Sequence, residues 1–179
     1  NYDVNVFSGE KVIFSGEGLQ IGERILWNST WHLAAIDQLE RRAVLAKAKI
    51  GWNDAGGAWQ EVNTHSSAII GLCDVISHYG NEMNADDKSR VEKQISNGCA
   101  YLAACQDKAR ELGYGDGPLS HDIIGHEEHI LPADTSKAVV AWAKAAKIAK
   151  DKDQKKEYLR RAELSMKWLL FNAKPINSK

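Results

Sequence analysis

Two hydrophobic periodicities divide the chain. From Tyr2 to Gly18, the apolar positions Val4 and Val6, then Val12, Ile13 and Phe14, are set around Gly9, Gly16 and Gly18. That spacing fits an extended arm or a short hairpin better than a helix. From about Ile21 the period lengthens: Ile25, Trp31, Leu33, Ile36, Leu39 and Ala43 form a helical stripe, with Glu40, Arg41 and Arg42 toward solvent. Residues 1–20 are therefore read as an extended arm or linker, and residues 21–179 as an array of α-helical hairpins.

The second helix has the clearest amphipathic pattern, with Val62, His65, Ala68, Ile69, Leu72, Cys73, Ile76 and Tyr79 three and four apart. Asn84 or Asp86 suits the cap of a third, which carries Val91, Ile95, Leu102, Cys105, Ala109 and Leu112 inward and stops at Gly113. Asp134 or Thr135 starts a fourth, with Ala138, Ala141, Trp142, Ala145 and Ile148 inward. The fifth begins near Gln154 and buries Tyr158, Ala162, Ser165, Trp168 and Leu169. The predicted fold class is mainly α, built of antiparallel helix pairs behind a short extended N-terminal arm.

The connections alternate between long and short. In an antiparallel array this places the long segments 48–60 and 113–133 at one end and the short turns 80–85 and 150–153 at the other. The long segments hold Trp52, Asn53, Asp54, Trp59, Tyr114, Asp116, His121, Asp122, His126, Glu127, Glu128 and His129. The predicted site is therefore at that end, against the alternative of two unrelated surface loops.

Composition narrows the partners. The 23 basic and 24 acidic residues are interspersed along the chain, so no basic stripe marks a nucleic-acid surface. No apolar run approaches the roughly 18 residues that a membrane span needs. Neither nucleic acid nor membrane is expected as a partner. Cys73, Cys99 and Cys105 fall within apolar helical stripes, where a thiol behaves as a small hydrophobe, and a disulfide framework is not expected. A chain opening on Asn1 suggests a processed or excised segment. The sequon Asn28-Ser29-Thr30 lies within a helical pattern and carries no argument.

The sharpest local feature is Gly51-Trp52-Asn53-Asp54-Ala55-Gly56-Gly57, in which glycines release the backbone beside an indole and a carboxylate. An aromatic face and acids suit a sugar's C–H face and hydroxyls; the plainer alternative is an ordinary Asp-Gly turn. Trp52 and Trp59 flank this loop as a possible stacking platform, whereas Trp27, Trp31, Trp142 and Trp168 read as packing residues. His121, His126 and His129, with Glu127 and Glu128 between, have the side chains of a zinc site, but their spacing differs from helical His-Glu-x-x-His. No metal and no cofactor are assigned. The histidines are read instead as sugar ligands or proton carriers, and His65 as either a cavity residue or a satisfied core histidine.

The block Trp52-Asn53-Asp54-Ala55-Gly56-Gly57 resembles the Trp-Tyr-Asp-Ala-Gly-Asp block of glycoside hydrolase family 9. The resemblance continues in order through Gly98-Cys99-Ala100-Tyr101-Leu102-Ala103-Ala104-Cys105, Gly115-Asp116-Gly117, the pair His121-Asp122, and the Ala-rich stretch 138–148. It covers roughly residues 51–170. It implies that the helix pairs form part of an (α/α) toroid within a larger catalytic domain, and that the chain is secreted to an extracellular or periplasmic space. Carbohydrate and the remainder of a larger polypeptide are the implied partners. In the family's block the first Asp helps to hold the attacking water and the second is the catalytic base. Asp54 matches the first, and Gly57 stands in place of the second. Nothing after Asn172 resembles the region of the family's general acid.

The expected function is that of a fragment or relative of a glycoside hydrolase acting on a polysaccharide or oligosaccharide. Asp54 and His121 are the candidate catalytic residues. Trp52, Asn53, Trp59, His65, Asp116, Asp122, His126 and His129 are the candidate substrate-binding residues. The alternatives are a non-catalytic carbohydrate-binding helical module, which Gly57 favours, and a polysaccharide lyase or sugar epimerase that uses histidines for proton transfer.

Overall fold

A computed structural model describes residues 2–19, 31–54 and 59–172. The chain is mainly helical, with five helices and one two-stranded antiparallel sheet among these residues. It divides into two compact units, Asn1–Ala35 and Ile36–Lys179.

The arm is a hairpin of β1 (Tyr2–Ser8) and β2 (Lys11–Leu19). Val4 faces Gly16, Val6 faces Phe14 and Phe7 faces Val12, with a register shift after Val6 that leaves Ile13 as the extra residue. Gly9 adopts φ 60° at the first position of the two-residue turn, a geometry that suits the twist of a tight hairpin and favours glycine.

The helical unit contains part of α1 (Trp31–Leu45), then α2 (Val62–Tyr79), α3 (Ala85–Glu111), α4 (Pro132–Ile148) and α5 (Lys152–Asn172). The expected first helix from Ile21 is described only from Trp31 onward; Ile21, Ile25 and Trp27 lie outside the described residues. Helix α2 packs on α3 and α4, and α4 packs on α5. The core between them is formed by Ile69, Cys73, Val91, Ile95, Cys99, Leu102, Cys105, Ala138, Trp142 and Ala145. Gly98 is needed on α3: a Cβ there would lie 2.5 Å from the Trp52 ring and 2.8 Å from Ile69.

Helix boundaries follow local chemistry. The Asn84 side chain accepts a hydrogen bond from the Asp87 amide and caps α3. At the other end the amides of Gly113 and Tyr114 donate to the carbonyls of Arg110 and Ala109, with Gly113 at φ 86°. That pair of bonds is the Schellman stop, in which glycine accepts the left-handed conformation without Cβ strain. Helix α4 starts at Pro132, earlier than the Asp134 or Thr135 expected, because proline's fixed φ and missing N–H suit the first turn. Helix α5 starts at Lys152, where Asp151 caps the Gln154 amide at 2.7 Å.

Polar side chains tie the helices together. The Arg90 guanidinium on α3 grips Glu40 of α1 through two hydrogen bonds of 2.9 and 2.7 Å and also bonds Asp37, which holds the Glu40 carboxyl below its ordinary range. Between α3 and α5, Arg161 bonds Gln106 and Asp107, and Ser165 donates to the Gly117 carbonyl at 2.6 Å while accepting from Gln106. All three cysteines are free and buried. Burial pushes the Cys73 thiol up to about 12 and also raises Cys99 and Cys105, which removes thiolate chemistry at neutral pH. No helix of the described residues is long and apolar enough to cross a membrane.

Candidate functional site

The two long loops lie side by side. The Val62 amide at the start of α2 donates to the His121 carbonyl at 2.9 Å, and the Trp59 ring lies 4.6 Å from that of His126. The alternating connection lengths thus correspond to a common end at which both loops meet.

The first loop is fastened from beneath. Asn97 of α3 clasps Gly51, accepting from its amide at 2.9 Å and donating to its carbonyl at 3.0 Å. Gly51 sits at φ 68°, and a Cβ there would lie 2.3 Å from His65 Nε2. His65 stacks between Trp52, at 4.9 Å between centroids, and Tyr101, at 3.9 Å. Its Nε2 accepts from the Trp52 amide at 2.9 Å, and its Nδ1 faces the Glu61 carbonyl at 2.7 Å. One ring nitrogen therefore accepts and the other donates, which fixes the neutral Nδ1–H tautomer. Burial lowers the His65 pKa to about 4. Trp52 is also enclosed, with Nε1 donating to Gln94 at 2.8 Å. These two expected ligands form the floor under the loop rather than a surface that a sugar touches.

Other expected site residues are dispersed. Asn53 turns back to α1, donating to the Leu45 carbonyl. The half-buried Asp54 donates its amide to the Trp59 carbonyl at 2.7 Å, and its carboxylate is near enough to favour charge on His65. Asp116 is exposed on the α5 side, where its charge acts on Arg160. Gly57 lies outside the described residues.

The second loop is organised by Asp122, which is buried. Its Oδ1 accepts from the amides of Ile124 and His126 at 3.0 and 2.9 Å, and its Oδ2 faces His126 Nδ1 at 3.2 Å. Gly125 takes φ 116° within this turn. The His121 amide donates to the His129 carbonyl at 2.8 Å, closing the loop beside the Ser120–Ile130 bridge. The His129 ring stacks on that of His126 at 5.4 Å. The result is a ledge of Trp59, His126 and His129, with Trp59 45% exposed.

Two acids complete this end, Asp134, read from the sequence only as a helix start, and Glu61, which the sequence reading did not single out. His121 Nδ1 lies 2.7 Å from Asp134 Oδ2 and its Nε2 lies 3.4 Å from Glu61 Oε2. Glu61 also accepts from the Thr64 hydroxyl at 2.7 Å and from the Trp59 indole at 3.4 Å. Asp134 was legible only as a candidate helix start and Glu61 was missed, because their common partner depends on the tertiary fold. Among the described residues no group of three or more His, Cys, Asp or Glu side chains could hold a metal ion.

The ledge is shallow. A small crevice beside it is lined by Lys47, Gln60, Tyr101 and Asp122. A groove of about 460 Å³ lies instead at the short-turn end, over Ile95, Ala145, Ile148 and Tyr158; there Lys150 is already bonded to Glu92, and Gln154 to Ser96.

No protein-family model matches this chain, and no curated protein or solved structure matches it either.

Proposed function

We propose that the paired loops form a carbohydrate site, and that the protein is a fragment or relative of a glycoside hydrolase of the family 9 type acting on a polysaccharide or oligosaccharide. The supporting observation is the exposed Trp59 ring set against His126, with its indole N–H on Glu61 and with His121 alongside. A flat aromatic face packs on sugar C–H bonds, and carboxylates and imidazoles at its edge bond the hydroxyls. In this reading the helix pairs belong to an (α/α) toroid completed by further polypeptide, and the protein works outside the cytoplasm. Asp54 supplies a carboxylate at the rim of the same loop.

The bracketing of His121 by Asp134 and Glu61 favours one second reading, a sugar lyase or epimerase in which histidine carries the proton. The test common to both is calorimetric titration with cello-, manno- and xylohexaose. At least one should bind, and Trp59→Ala should weaken it at least about tenfold, equivalent to about 1.4 kcal/mol, while the melting temperature holds. Binding that survives Trp59→Ala unchanged refutes the ledge as the site.

A further inference from the structure

His121 stands between two carboxylates at the edge of the ledge. A neutral imidazole carries one N–H and one lone pair. At His121 both ring nitrogens face carboxylate oxygens, Asp134 Oδ2 at 2.7 Å and Glu61 Oε2 at 3.4 Å. The ring's one neutral-state proton is best used on the shorter contact, with Asp134, whose side chain is only 3% exposed and belongs to the first turn of α4. Nε2 is left 3.4 Å from Glu61 Oε2, an ion-pair separation at which a proton on Nε2 is directed toward the carboxylate.

We propose that Glu61 and His121 form a single proton-holding unit, that Asp134 is its positioning residue, and that the shared proton is the one this site exchanges with an oxygen of a bound sugar. The unit rests on the carbohydrate reading for its substrate, and for its construction on one hydrogen bond, to Asp134, and one ion-pair contact, to Glu61. The Glu61 carboxylate accepts from the Thr64 hydroxyl at 2.7 Å and from the Trp59 indole at 3.4 Å, and the imidazole Nε2 lies 3.4 Å from it. Its side chain is 24% exposed, which leaves it a path to a ligand on Trp59, whereas Asp134 has none. The groups facing the unit are Asp134 from α4, Thr64 from α2, the Trp59 ring, and the His126 ring 6.4 Å from that of His121. A fixed tautomer with one nitrogen buried on an acid and the other directed outward is the arrangement by which an imidazole passes a proton in one direction.

The experiment is long-range ¹H–¹⁵N spectroscopy of the histidine rings in the full 179-residue chain at neutral pH, with His121 assigned by His121→Gln and the buried His65 ring as an internal report of folding. The wild type should show a protected proton on His121 Nδ1 and a second proton at Nε2. Asp134→Asn should abolish the protected Nδ1 proton. Glu61→Gln should retain it and lose the Nε2 proton. Cellohexaose, mannohexaose or xylohexaose, whichever binds, should shift the Nε2 signal and leave Nδ1 in place. A His121 ring bare at Nδ1 in the wild type overturns the proposal even if a variant fails to fold, and so does an Nε2 proton indifferent to Glu61→Gln. Failure of all three sugars to bind, with the ring protons as expected, refutes the substrate assignment and leaves the Glu61–His121–Asp134 unit standing.

Discussion

His65 should make the stability of the protein fall on mild acidification. Its ring lies between Trp52 and Tyr101, accepts from the Trp52 amide and faces the Glu61 carbonyl, so a second ring proton would have to displace a backbone donor inside the core. Desolvation by burial is the main cause that lowers its pKa from 6.5 to about 4. The folded state therefore binds this proton less readily than the unfolded chain. The resulting stability is fully present above about pH 6.5 and is lost as pH falls toward 4. At about 1.4 kcal/mol per pH unit, the displacement is equivalent to about 3 kcal/mol, a large fraction of the about 5–15 kcal/mol that holds a domain together. Urea unfolding of the wild type and of His65→Gln, measured at intervals from pH 7.5 to pH 4, isolates this contribution. Glutamine does not titrate and retains an oxygen that can accept from the Trp52 amide, so its stability should be lower at neutral pH but flatter with pH. Parallel curves for the two proteins across that range would refute the assignment of a buried neutral imidazole.

Three further outcomes follow from the packing. Gly98→Ala should cost about 1–3 kcal/mol in urea unfolding, because the new methyl would meet the Trp52 ring at 2.5 Å and Ile69 at 2.8 Å, both well anchored. Ser165→Ala should cost about 1–3 kcal/mol by thermal unfolding, since it leaves the buried Gly117 carbonyl and the Gln106 amide without the hydroxyl that each now bonds. Cys73, Cys99 and Cys105 should resist a thiol reagent at neutral pH in the native chain and react rapidly in denaturant, because all three are buried and their thiols are held protonated.

What the sequence disclosed depended on how local the determining interactions are. The helices α2 to α5 were legible because their apolar faces repeat at helical spacing, and the ends at Asn84 and Gly113 because each cap is decided within a few residues. The start of α4 at Pro132 was misplaced by two or three residues, at Asp134 or Thr135, because Asp134 resembles a cap, whereas its carboxylate is committed to His121. Trp52 and Trp59 were equivalent in sequence, each an indole beside a Gly-rich stretch. Gly98, 46 residues further along, makes the room that Trp52 occupies, while Trp59 remains half exposed. No periodicity within either loop could carry that distinction.

The same long-range dependence bears on how the site is held. The groups at this end are few, Trp59, His126 and His121 chief among them, and each is held by a neighbour in its own loop or on a helix. Trp59 is joined to Asp54 by its carbonyl, within a loop clasped by Asn97 of α3. His126 rests on Asp122, whose other oxygen is occupied by two loop amides. His121 rests on Asp134 of α4. The loops therefore owe their mutual position to α2, α3 and α4 together, and a ligand spanning Trp59 and His126 would meet groups whose ordering entropy has largely been lost during folding rather than during binding. Under the proposed carbohydrate reading, that ordering offsets the modest depth of the ledge; the groove at the short-turn end has more room, but its Lys150 and Gln154 are already engaged by Glu92 and Ser96.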